Sequence, residues 1–328
     1  MANKIGILLV NLGTPEATSY WPMRRYLKEF LSDPRVIESN RALWWLVLNG
    51  IVLTIRPKKS GHAYAQIWNR ELNESPLKTF TRGQTEKLQE RLTASKIIVK
   101  WGMRYGHPAI ADSLKKLRDK GCDRIVIFPL YPQYSATTTA SVFDKVADAM
   151  KKIRWQPTLR YVPPFYNDQR YINALSARTI EHLNGLDWQP EKILVSYHGL
   201  PKSYVEKGDP YYDQCMETTR LLREKMGETE DKMITTFQSR VGRQEWLKPY
   251  TDATIADLAA KGTKNIMLIS PAFISDCVET LEELSIGLAQ EFAAAGGKNF
   301  SVAPCLNDSK VSIDMLEKIT QDELKGWV

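Results

Sequence analysis

Apolar residues along this chain follow two rhythms. Short, nearly unbroken runs, Ile5-Gly-Ile-Leu-Leu-Val-Asn11, Lys96-Ile-Ile-Val-Lys100, Arg124-Ile-Val-Ile-Phe-Pro129 and Asn265-Ile-Met-Leu-Ile-Ser270, have the length and β-branched content of strands buried on both faces. Between them, Pro22 to Phe30, Leu77 to Leu92 and Ala109 to Lys120 read as helices, as do Val278, Leu281, Leu284 and Leu288 at spacings of three and four. The alternation predicts βαβ units with right-handed crossovers, hence parallel sheets flanked by helices.

The second half repeats the first in order. Ile5 to Pro15 matches Lys192-Ile-Leu-Val-Ser-Tyr-His-Gly-Leu-Pro201 in kind, a strand followed by a turn with Gly and Pro. Leu117 to Pro129 is echoed by Leu258 to Pro271, and Thr158 to Pro163 by Phe300 to Pro304. The expected architecture is therefore α/β: two similar Rossmann-like lobes, residues 1–165 and 166–328, joined near Pro163 to Tyr171, with a ligand cleft between them. The C-terminal helix is free to pack on either lobe. No P-loop and no G-x-G-x-x-G follows a strand, which argues against a nucleotide ligand.

One apolar stretch fits neither rhythm. Arg41 to Ile55 is greasy nearly all round, yet shorter than the roughly 20 residues of a membrane span and interrupted by Asn49-Gly50. A buried helix, a lip over a ligand pocket and an interfacial membrane contact all fit it. The cations of Arg56-Pro-Lys-Lys59 follow at once, as a solvated loop, a membrane-facing cluster or a clamp for ligand carboxylates.

Composition narrows the class. The 328 residues are 43% hydrophobic and 25% charged, ordinary for a globular protein with a full core. A net charge of +7 suits an anionic ligand or an acidic membrane face. Nucleic acid is not indicated, because Lys and Arg never cluster beyond pairs. The first strand follows the amino terminus with no signal sequence, so a cytoplasmic protein is expected, possible contact with the inner membrane face included. Cys122, Cys215, Cys277 and Cys305 are too scattered for a zinc site or a disulfide framework.

The chemistry gathers at strand ends. His198 stands at the end of one strand, in Ser196-Tyr-His-Gly-Leu-Pro201; a structural histidine is the plain alternative. Glu279 and Glu283, four apart after Pro271, share a helix face, although Asp276 and Glu279 also spell a capping box that needs no chemistry. Arg104-Tyr105, Tyr131-Pro-Gln-Tyr134, Phe237-Gln-Ser-Arg240 and Trp246 end or follow strands. Such aromatics serve as core caps or interface residues; gathered with arginines around one cleft they suit a flat, unsaturated, anionic ligand.

Seven motifs then stand in one order: Asn11-Leu-Gly-Thr-Pro15, Gly102-Met-Arg-Tyr-Gly-His-Pro108, Phe128-Pro-Leu-Tyr-Pro-Gln-Tyr-Ser135, Ser196 to Pro201, Lys207-Gly-Asp-Pro-Tyr211, Thr236-Phe-Gln-Ser-Arg-Val-Gly242 with Trp246, and Phe273 to Leu284. In these the chain resembles the ferrochelatases over essentially its whole length. The resemblance implies a lyase that inserts Fe(II) into protoporphyrin IX, or coproporphyrin in some bacteria, in the terminal steps of heme biosynthesis. It makes His198 and Glu279 the catalytic and metal-site pair on facing sides of the macrocycle, with Glu283 continuing an acidic row. It puts Arg56, Lys59 and Ser239 at the propionates and Tyr64, Arg104, Tyr105, Tyr131 and Trp246 around the pocket wall.

The departures matter as well. Cys277 stands where several relatives have a histidine, and Gly287 interrupts the acidic row. Animal-type members carry an iron–sulfur cluster held by one cysteine in the Tyr-Ser-x-Thr-Thr loop and three in a carboxyl extension. Ala136 in that loop and an end at Val328 lead to the expectation of no cluster and no resident cofactor, iron being substrate only. Leu12, where coproporphyrin-specific relatives have an aromatic, favours protoporphyrin. Competing readings are a cobalt chelatase of the same architecture, which would carry an extra histidine in the metal loop, and a two-lobed protein that binds heme or another anionic pigment without turnover. Oligomeric state is left open.

Overall fold

The computed structural model describes residues 4–92, 96–242 and 244–328. Residues 1–3, which the sequence reading takes as the lead into the first strand, lie outside that set. The strands are β1 (Lys4–Thr14), β2 (Ile97–Gly106), β3 (Cys122–Pro129), β4 (Thr158–Tyr161), β5 (Lys192–His198), β6 (Met233–Gln238), β7 (Asn265–Ile269) and β8 (Asn299–Val302). The helices are α1 (Tyr20–Leu31), α2 (Arg41–Val47), α3 (Leu53–Ile67), α4 (Pro76–Arg91), α5 (Ile110–Asp119), α6 (Ser141–Met150), α7 (Gln169–Asn184), α8 (Lys202–Glu206), α9 (Tyr211–Met226), α10 (Thr251–Ala260), α11 (Ala289–Ala294) and α12 (Lys310–Leu324).

The chain forms two compact units. One comprises residues 1–131, 135–163 and 312–328, the other residues 132–134 and 164–311. Each holds a four-stranded sheet, β2-β1-β3-β4 in the first and β6-β5-β7-β8 in the second, and all pairs are parallel. The echo in the sequence thus corresponds to equivalent strands, β1 with β5, β3 with β7 and β4 with β8, in the same spatial order.

The central strands are buried almost throughout, as unbroken apolar runs require when helices cover both faces. In the first unit Leu8, Val10, Ile125 and Ile127 pack against Ile110, Leu114 and Leu117 of α5 and Val142 and Val146 of α6. In the second, Leu194, Ile266 and Leu268 pack against Ile255 and Leu258 of α10, Leu284, Leu288, and Phe292 of α11. From Ser312 onward α12 belongs to the first unit: Arg91 pairs with Asp314 at 3.1 Å, and Arg160 donates to the carbonyls of Glu323, in the last turn, and Lys325, just past it.

The stretch from Arg41 to Ile55 departs from the buried-helix expectation. It is helical through a π-helical segment, Leu48–Val52, into α3, and α2 buries no residue. Leu43, Trp45, Leu46, Ile51 and Ile55 are each more than half exposed, while Leu48 and Leu53 anchor the segment from beneath. Arg56 to Lys59 is likewise helix rather than loop, with Pro57 inside α3. Proline cannot donate to the carbonyl four residues back; here the Tyr20 hydroxyl donates to that Leu53 carbonyl at 3.1 Å. Among the described residues no helix is long and apolar enough to cross a membrane.

Candidate functional site

In the second sheet the chain leaves β5 toward β6 on one side, whereas β7 leads to β8 on the other. The carboxyl ends of β5 and β7 therefore flank the point where connections diverge, the place where open parallel sheets leave a crevice. His198 is the last residue of β5. Its Nδ1 lies 2.7 Å from the Gly199 carbonyl. A carbonyl only accepts, so Nδ1 carries the proton and Nε2 of the neutral ring is the basic nitrogen.

Gly199 is needed in this turn. A Cβ there would stand 2.9 Å from the Gln238 carbonyl, which accepts from the Gly199 N–H, and 3.2 Å from Cε3 of Trp246. Trp246 is half-buried beside the turn, its indole N–H donating to the Val241 carbonyl at 3.0 Å.

Beyond β7, the segment Glu279–Leu288 is a π-helix that passes into α11. Its i→i+5 bonding widens each turn, so residues four and five apart share a face, and Glu279 and Glu283 remain on one side as the α-helical reading expected. The Ser285 hydroxyl reaches back five residues to the Thr280 carbonyl at 2.9 Å.

The capping box does not form. Asp276 is buried and accepts from the Thr280 hydroxyl at 2.9 Å and from the Asn307 amide at 2.6 Å, while its own N–H donates to Asn307. Asn307 thus takes the place expected of Glu279, because the preceding loop folds back over β8's outgoing chain. Burial first, then the charge of the neighbouring Glu279, raises the pKa of the Cys277 thiol well above its ordinary value. Ser239, whose φ of +65° is strained for a residue with a side chain, donates its hydroxyl to Glu283 in a short hydrogen bond. His198, Glu279, Glu283 and Ser239 are all half-buried. Among the described residues no three His, Cys, Asp or Glu side chains converge into a metal-holding group, so the three expected metal-site residues do not form a closed cage.

Of the remaining expected site residues, Arg104 and Tyr105 come together. Arg104 pairs with Asp33, donates to Ser141 Oγ at 2.6 Å, and lies 4.3 Å over the Tyr105 ring. The Tyr105 hydroxyl donates to Asp33 at 2.7 Å, as does that of Ser141 at 2.6 Å. Burial opposes ionisation of Asp33, but the hydrogen bonds from Ser141 and Tyr105, the Arg35 backbone and the Arg104 charge outweigh it and lower its pKa. Tyr131 is near enough to feel Tyr105 and Arg104, and burial raises its pKa strongly; among the described residues its buried hydroxyl has no hydrogen-bond partner. Tyr64 is buried edge-on between Tyr26 and Trp68. Arg56 and Lys59 lie exposed on α3.

Sequence reasoning gave no role to Asp33 or Ser141. It also gave no role to Gln238, although that residue lies inside a quoted motif.

A family model described as Ferrochelatase matches residues 4–324. A ferrochelatase of Mesorhizobium japonicum is 56% identical over 328 residues, which is 100% of this chain and 93% of that protein. One from Agrobacterium fabrum is 53% identical across 99% of this chain and 95% of its own length, and one from Rhizobium meliloti 54% identical across 99% and 96%. The fold is similar to that of SirB from Bacillus subtilis solved with Fe3+, at a TM-score of 0.57 and 12% identity, covering 97% of this chain and 95% of that one. A sirohydrochlorin chelatase SirB from a Bacillus subtilis subspecies in complex with cobalt gives 0.56 at 10% identity, covering 98% and 96%. With parallel sheets of equivalent order and full-length relatives of one name, the chain belongs to the ferrochelatase family.

Proposed function

We propose that this protein inserts Fe(II) into protoporphyrin IX, releasing two protons and forming protoheme, with His198 and Glu279 as the catalytic pair. The observation that carries the reading is the orientation of His198. Its Nδ1–H is committed to the Gly199 carbonyl, which leaves Nε2 to accept a proton at the mouth of the parallel sheet.

Metallation of a porphyrin is slow in water because the flat ring hides its nitrogen lone pairs, the two inner N–H protons must leave, and the ion must shed water. A site that holds the ring bent exposes those lone pairs, at a strain of roughly 1 to 5 kcal/mol drawn from binding its remote edge. His198 Nε2 then accepts the pyrrole protons one at a time, giving up the first before the second leaves, and Glu279 and Glu283 pass the metal ion or protons onward. A carboxylate and an imidazole both suit Fe(II). Ser239, Arg56 and Lys59 would meet the propionates, and Tyr64, Arg104, Tyr105, Tyr131 and Trp246 the pocket wall. Such an enzyme is a lyase, and the reaction as proposed needs no resident cofactor or iron–sulfur cluster.

The exposed apolar face of α2 and the π-helical turn after it, with Trp21 of α1, supports a cytoplasmic enzyme that touches the inner membrane surface, where an apolar porphyrin partitions.

The test is anaerobic fluorimetry. Porphyrin emission should fall with time only when ferrous iron and protein are both present; immediate quenching without iron would instead mark a binding protein. H198A should bind porphyrin yet not metallate it, and E279Q should lose most turnover with its fold intact. Wild-type turnover in H198A would remove the assignment.

A further inference from the structure

Gln238 is the last residue of β6, is only 6% exposed, and stands level with His198 in the β5–β6 register. Its side-chain amide lies between two elements. Nε2 donates to the backbone carbonyl of Glu279 at 3.0 Å, and Oε1 accepts from the Ser196 hydroxyl at 2.7 Å. The orientation of the amide is not arbitrary: a carbonyl only accepts, so the NH2 must face Glu279 and the oxygen must face Ser196. Ser196, two residues before His198 on β5, is fully buried, and its hydroxyl lies 2.9 Å from that of Thr251. The backbone of Gln238 acts on the other side, its carbonyl accepting from Gly199 at 2.8 Å just past His198.

We infer that Gln238 is a positioning residue for metal insertion: its amide ties the β5 end that carries His198 to the first residue of the π-helix that carries Glu279. The inference rests on the proposed roles of those two residues. A π-helical turn is an irregular element whose placement its own backbone bonds do not secure, so a donor from the sheet to the Glu279 carbonyl sets where that residue's Cα sits and where its carboxylate points. The main chain of Glu279 is thus held from the sheet by Gln238. Gln238 itself touches no reacting atom in this scheme.

Q238M keeps length and volume but cannot donate. In the full-length protein, with protoporphyrin IX and anaerobic Fe(II), it should lower kcat roughly ten- to a hundredfold, the scale of about 1 Å of misplacement. Its porphyrin KM and fluorescence-measured Kd should stay within about twofold, since uniform binding is untouched. A thermal unfolding midpoint near that of wild type checks the fold. The decisive comparison is Q238M on an E279D background, where the further loss should shrink to less than about threefold because both changes act through one side chain. Should Q238M fail to fold, S196A, which removes the group that orients the amide, should show the same kcat loss, smaller, with the same non-additivity.

Unchanged kcat in Q238M, or losses that multiply in full on the E279D background, would overturn the inference. If H198A and E279Q themselves turn over normally, the catalytic assignment has failed and not the brace alone. If those two are inactive and Q238M is normal, only the role of Gln238 falls.

Discussion

Asp33 takes its importance from what folds onto it. In the sequence it precedes a proline at the end of a helix and reads as a stop signal; in the structure it is 3% exposed by side chain and holds Arg104, Tyr105 and Ser141. Because Asn cannot supply the charge, D33N should leave Arg104 partly buried without its counter-ion and cost about 3 kcal/mol, read as a lowered urea midpoint. The pH dependence has a definite sign. The Asp33 pKa is lowered, so its contribution is complete above the unfolded carboxyl value of about 4 and is lost as pH falls through the depressed folded value. Wild type should therefore lose more stability than D33N on acidification below about pH 4; equal losses would deny the pairing. The four cysteines give a second expectation. All are buried, and the pKa values of Cys215, Cys277 and Cys305 are raised chiefly by burial, so a thiol reagent at neutral pH should label these three only after denaturation. The place of His198 at the end of β5 and of Glu279 at the start of a helical segment was legible, since apolar runs and turns mark both. Asp33, Ser141, Asn307 and Gln238 were not, since their partners lie up to 108 positions away along the chain and no spacing encodes such contacts.

Among the elements, strands and long helices follow directly from apolar runs and three-four spacing, and α4 and α5 lie within a residue or two of where the pattern puts them. The π-helical segments were invisible. Four apolar positions at 278, 281, 284 and 288 fit a 3.6-residue turn and a wider one alike, so pattern specifies the buried face without specifying the hydrogen-bond ladder. The helix containing Pro57 shows the converse: a residue that should end a helix is accommodated because Tyr20 takes over the stranded carbonyl. Y20F removes that donor while keeping the ring, and should cost about 1 kcal/mol in chemical denaturation. No measurable change would mean that water satisfies Leu53 equally well. For the stretch from Arg41 to Ile55, only one of the three readings, the buried helix, fails. Uniform apolarity reads as burial, but Leu43, Trp45 and Leu46 face outward. If that face meets a bilayer, W45D/L46D should lower the partition constant for anionic vesicles, read by sedimentation, roughly thirtyfold, the order expected for about 2 kcal/mol of lost apolar contact, with turnover in detergent unchanged. Equal sedimentation of variant and wild type would remove the membrane from the account.

Across the whole molecule, the weak internal echo was the most informative feature of the sequence. It placed β1 with β5, β3 with β7 and β4 with β8, and the two sheets share one strand order, so each brings loop residues to an equivalent switch point. In the first sheet those strand ends carry Asn11 to Thr14 and lead into Leu130 onward; in the second they carry His198 and lead toward Glu279. The end of β1 needs Gly13, at φ +117°, where any Cβ would lie 1.8 Å from the Tyr105 carbonyl oxygen. The close match of sequence-derived and observed architecture comes from this redundancy, since a pattern seen twice constrains topology more than either copy alone. The central claim is that an imidazole at the end of β5 accepts the protons that metal insertion displaces. Its most direct test is single-turnover stopped-flow fluorescence of protoporphyrin-loaded protein mixed anaerobically with Fe(II). The account predicts a rapid decay of emission in wild type and none on that timescale in H198A, despite equal porphyrin loading; equal decay in the two proteins would contradict it.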